Sequence, residues 1–86
     1  MDLDHLLHQY FGTSDLAEAS PAVQAAGVDR LRVDFGLEID RSRRFALWSL
    51  LYMLGHAPEL DIAFEEEADR EAARNLMDLL SAADGA

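Results

Sequence analysis

The chain of 86 residues contains no cysteine, no lysine and only two prolines. Without cysteine there is no disulfide, no thiolate nucleophile and no thiolate metal ligand. Scarce proline, with half the residues apolar, excludes a disordered or low-complexity chain on composition. Positive charge is scarce too. Seven arginines stand against 17 acids, for a net charge of −10. A generic nucleic-acid binder draws its affinity from neutralising phosphates with Lys and Arg, so this balance disfavours that class. It disfavours a peripheral protein of anionic membranes for the same reason. Long apolar runs are also missing. The longest, Phe45 to Leu54, is interrupted by Ser49 and falls well short of the roughly 20 residues a membrane-spanning helix needs. The opening Met1-Asp2-Leu3-Asp4-His5 is acidic where a secretory leader is basic. These features predict a soluble cytoplasmic protein with one domain over 1–86.

What is present is helical periodicity. Leu3, Leu6, Leu7 and Tyr10 share one face of a first helix, residues 2–11, with Asp2 as its cap and Gly12 as its stop. Thr13 to Ala19 suits one or two turns opened by Thr13 or Ser14. Ser20-Pro21 is a strong start signal for a second helix with Val28, Leu31 and Phe35 as its main stripe. Gly27 weakens that helix by about 1 kcal/mol relative to alanine. Gly36 is its expected end, with Leu37 folding back on Leu31 as a Schellman contact. A third helix runs from the cap Asp40 to Leu54, with Gly55 as terminator and Pro58 beyond it. Its apolar residues, Phe45 to Leu54 apart from Ser49, point in nearly every direction at about 100° per residue, the signature of a buried helix. A strand is the competing reading, but the run has no β-branched residue and no strict alternation. The last helix begins between Asp61 and Glu66 and ends near Ala83. Ala68, Ala72, Leu76, Leu79 and Leu80 make its apolar face, and Glu66–Arg70 and Glu71–Arg74 are its expected ion pairs. Residues 81–86 read as a fraying tail. The expectation is an all-α bundle of about four helices around a central, fully apolar third helix. Wrapping that helix with three thin partners is hard, so a homodimer through its uncovered surface is expected.

Four features carry chemistry. The first is Arg41, Arg43 and Arg44, with Arg30 and Arg32 upstream. Three arginines at a helix start face the wrong end of its dipole, so something anionic must compensate. A phosphate or a partner carboxylate would do so, since guanidinium forks match both. The alternative is internal pairing with Asp34, Asp78 and the terminal carbonyls of helices two and four. A helix-turn-helix reading of the same arginines fails on the apolar remainder of the third helix and on global charge. The second feature is the acidic run Glu59, Asp61, Glu65, Glu66, Glu67, Asp69 and Glu71, with Glu65, Glu66, Glu67 and Asp69 as the docking face for a basic partner. Its alternatives are a helix start carrying solubilising charge, or a cation site, for which the alternating ligands and glycine turn of a calcium loop are absent. Third, His5 and His8 beside Asp4 fall on a solvated face and lack the third rigid ligand of a catalytic zinc site, while His56 serves as a cap. Fourth, Phe45, Trp48 and Tyr52 have core spacing, and a small pocket at Ser49 is conceivable.

No nucleophile elbow, phosphate loop or cofactor motif is present, so no enzyme, metal or cofactor is expected. The leading expectation is a non-enzymatic interaction module, an adaptor, inhibitor or immunity-like protein that docks a basic partner. Acidic four-helix immunity proteins of bacterial nucleases are similar in size and charge, a likeness of class alone. The alternative is an anion- or nucleotide-binding regulatory domain built on Arg41, Arg43 and Arg44.

Overall fold

The computed structural model describes residues 3–85, all helices and connections, with no strand among them. The elements are α1 (Leu3–Phe11), a 3-10 turn (Leu16–Glu18), α2 (Pro21–Leu37), α3 (Arg41–Met53), α4 (Leu60–Ala63) and α5 (Glu67–Gly85). The expected Asp2 cap lies outside the described residues. The described part of the 81–86 segment continues α5 to Gly85.

Most boundaries follow from local chemistry. Gly12, at φ +73°, ends α1, and its amide donates to the His8 carbonyl at 2.9 Å. The 3-10 turn opens on Asp15, not on Thr13 or Ser14. The Thr13 hydroxyl accepts the Asp15 amide, which leaves the Asp15 carboxylate to cap the Ala17 amide at 3.0 Å. Gln24 then ties this turn to α2 by donating to the Leu16 and Ala19 carbonyls, both at 2.9 Å. Ser20 caps α2 at the Val23 amide and Asp40 caps α3 at the Arg43 amide.

The end of α2 departs from expectation. Gly36 stays helical, α2 runs on to Leu37, and Leu37 is 75% exposed instead of folding onto Leu31. The reason lies across the turn. The Arg44 guanidinium hydrogen-bonds the Phe35 and Glu38 carbonyls, so these late acceptors need no left-handed cap. The Schellman motif occurs instead at the end of α3. There Gly55 adopts φ +81°, its amide meets the Tyr52 carbonyl at 3.0 Å and the His56 amide meets the Leu51 carbonyl at 2.9 Å.

The α3 helix is the hub. Leu47, Trp48, Leu50 and Leu51 are buried, and Phe45, Ala46, Ser49, Tyr52 and Leu54 are half-buried. Only Met53 of the apolar run is exposed. A single chain therefore covers most of α3, leaving Met53 exposed and five residues of the run partly open. One side of α3 is aromatic. The Trp48 ring stacks on Tyr52 at 5.3 Å and meets Phe64 at 5.7 Å, while Phe64 stacks on Phe45 at 6.0 Å. The Trp48 indole N–H donates to the Pro58 carbonyl at 3.2 Å, which fixes the connection leading into α4.

Gly27 is an approach point, not a weakness. It is buried where α1 meets α2, and a Cβ there would lie 2.5 Å from Phe11 Cδ1 and 2.7 Å from the Tyr10 carbonyl oxygen. In α5 the buried stripe is rotated from the expected one. Ala73 is fully buried, with Leu76, Met77 and Leu80 half-buried, whereas Ala68, Ala72 and Leu79 are exposed. Both stripes fit helical spacing. The packing against α3 selects the one whose first turn also presents Asp69 to Arg41.

Candidate functional site

The structure brings the arginine cluster and the acidic cluster together. The start of α3 faces the carboxyl end of α2 as expected, but it faces the amino end of α5, not its carboxyl end. Arg41 Nε and Nη2 donate to the two Asp69 carboxylate oxygens at 3.0 and 3.1 Å, a bidentate pair on an exposed side chain. Hydrogen bonding to Asp69, followed by its charge, raises the Arg41 pKa above the ordinary arginine value. Arg43 Nε pairs with Glu38 Oε1 at 2.6 Å. Arg44 reaches the Phe35 carbonyl at 2.8 Å, the Glu38 carbonyl at 3.3 Å and the Ala63 carbonyl, with its guanidinium 4.2 Å above the Phe35 ring. All three arginines of the cluster therefore have partners within the chain. Terminal carbonyls are among them, as the internal alternative anticipated. Asp34 and Asp78 are not. Asp34 instead accepts the Tyr10 hydroxyl at 2.6 Å. Burial of that phenol, then its bond to Asp34, pushes the Tyr10 pKa up to about 12.

The acidic face divides into spent and unspent carboxylates. Asp69 is held by Arg41. Glu67 accepts from Arg70 at 2.8 Å and from Arg74 at 2.8 Å, and hydrogen bonding from Arg70 leads the causes that hold its carboxyl below the usual range. These pairs replace the expected Glu66–Arg70 and Glu71–Arg74, because Glu67 shares a side of α5 with both arginines at i+3 and i+7. Glu59, Asp61, Glu65, Glu66 and Glu71 are exposed, and among the described residues their carboxylates form no ion pair.

Between the α2–α3 and α4–α5 connections lies a groove of about 450 Å³, lined by Glu38, Ile39, Arg41, Ile62, Glu65 and Glu66 among others. Ile39 is 91% exposed and Ile62 75% exposed. Sequence periodicity passed over both, since neither belongs to an apolar stripe. The available signal was a large aliphatic residue standing alone in a polar connection. Carboxylates outnumber guanidiniums in the lining, so the groove combines unpaired negative charge with two wet aliphatic side chains.

The remaining candidates fall away from this groove. His5 and His8 lie exposed on α1, and among the described residues no three His, Asp or Glu side chains are grouped to hold a metal ion. His56 is exposed beyond α3. Phe45, Trp48 and Tyr52 belong to or pack against the core, and the Ser49 hydroxyl donates to the Phe45 carbonyl at 2.8 Å. No buried side-chain N or O among the described residues lacks a partner, and no helix there is long and apolar enough to cross a membrane. No known protein family, curated protein or solved structure matches this chain.

Proposed function

We propose that this protein is a non-enzymatic interaction module that docks a basic partner in the groove between Ile39 and Ile62. The observation that carries the reading is the pairing of unspent Glu65 and Glu66 with those two exposed isoleucines. Charge of one sign raises the rate of encounter and rejects wrong partners, and a central aliphatic contact supplies the desolvated anchor such interfaces use. A segment with lysine or arginine flanking one apolar side chain fits this chemistry. The alternative, a free anion or nucleotide on Arg41, Arg43 and Arg44, is less well supported, because those guanidiniums already have internal partners.

The test is affinity capture from the native cytosol with wild type, with the double variant Glu65→Gln/Glu66→Gln and with Ile62→Ser. The expected result is a basic partner captured by wild type at low salt, lost in both variants and weakened by added salt. Capture unchanged in both variants would sink the reading.

A further inference from the structure

A second groove differs in kind from the first. It lies between the later part of α2 and the connection from α3 into α4, has a volume of about 500 Å³, and is lined by Arg32, Phe35, Arg44, Leu51, His56 and Ile62 with a few small residues. In a chain of net charge −10, its lining holds no carboxylate. Its accessible apolar surface comes from Ile62, with Ala57 and Pro58 beside it, over the buried Leu51 and Phe35. Its polar groups are two guanidiniums and an imidazole.

Arg32 is the decisive residue. Arg30 lies 5.7 Å over the Tyr10 ring, and the other five arginines hydrogen-bond or pair with carboxylates or carbonyls. Arg32 alone has no hydrogen bond, ion pair or ring contact among the described residues. It is also shared, together with His56, by an adjoining groove of about 350 Å³, whose lining includes Asp29, which does not pair with Arg32. Arg44, which also lines the larger of these two grooves, donates to carbonyls and forms no ion pair with a carboxylate among the described residues.

We propose that this groove binds a small organic monocarboxylate with an apolar body. Its carboxylate would meet the Arg32 fork beside His56, and its chain would lie against Ile62, Ala57 and Pro58. Guanidinium geometry matches a carboxylate bidentately, and the volume lies in the range of small-ligand sites, roughly 300–1,000 Å³. A monoanion fits better than a polyanion, because the net negative field of the protein opposes every added charge and the apolar walls offer few further donors.

The test is an NMR titration of the full chain with octanoate, and with octylamine and inorganic phosphate as controls. Saturable shifts at Arg32, Ala57 and Ile62 with octanoate alone are the expected result. Arg32 is exposed and unpartnered, so Arg32→Gln keeps the fold, which circular dichroism checks, and it should weaken octanoate binding by about tenfold or more. The variant Glu65→Gln/Glu66→Gln should bind octanoate as wild type does, which separates this site from the docking groove. No saturable octanoate binding, equal binding of octylamine or phosphate, or unchanged affinity in Arg32→Gln would overturn the proposal.

Discussion

The part of the molecule built from α1, α2 and α3 and the part built from α4 and α5 bury themselves very differently. The first contributes Leu6, Tyr10, Phe11, Leu31, Phe35 and the four central residues of α3 to the fully buried core. The second contributes Ala63, Phe64 and Ala73, although α5 is the longest helix. Both parts are rich in leucine and alanine. The difference lies in what each face meets. The α3 helix has neighbours on nearly every side, whereas α5 rests on it along one stripe and leaves Leu79 69% exposed. Apolar content therefore says little about depth of burial, and number of packed neighbours says much.

The sharpest way to break this contrast is at its centre. Trp48→Ala removes the ring that holds Phe64, Tyr52 and the Pro58 connection, and should cost about 3–5 kcal/mol in urea unfolding. Gly27→Ala comes next. Helix propensity alone predicts a gain of about 1 kcal/mol, but the new methyl collides with Phe11 and with backbone at Tyr10, so the expected outcome is a loss of about 1–3 kcal/mol. A stabilised Gly27→Ala protein would refute the close approach of α1 and α2.

A subtler effect concerns Tyr10 in the same part. Folding raises its pKa from 10.0 to about 12, so the folded state holds the phenolic proton more tightly than the unfolded state. That contribution to stability is fully present below pH 10 and is lost as pH rises toward 12. Unfolding followed across this window should show alkaline destabilisation that Tyr10→Phe flattens. The smallest effect is expected in α5, where Leu79→Ser should change stability by no more than about 0.5 kcal/mol. Hydrogen exchange sharpens the same comparison. Amides of α5 should exchange through openings of lower free energy than those of α2 and α3, and equal protection of all three helices would contradict the asymmetry.

Much of the fold was legible in local signals. The caps Ser20 and Asp40, the left-handed stops Gly12 and Gly55, and the apolar circumference of α3 are each written within a few residues, and each is found in place. The arginine cluster was legible as a charge problem needing compensation, and its members do find compensation. Which carboxylate or carbonyl supplies it was not legible. Asp69 lies 28 residues from Arg41, and nothing local distinguishes it from Glu66 or Glu67. The exposed Ile39 and Ile62 were missed because periodicity assigns meaning only to residues inside a stripe.

By itself, the order of residues determined that the described chain is helical, where most helices begin and which helix is central, because these depend on hydrogen bonds and periodicities a few residues long. Tertiary packing decided which stripe of α5 is buried, why residue 27 must lack a side chain, and that Arg44 closes α2 in place of a glycine cap. It also decided that Arg32 alone among the arginines is left without a partner among the described residues. Each of these turns on the distance between groups far apart in sequence, and only the packed arrangement of helices sets that distance.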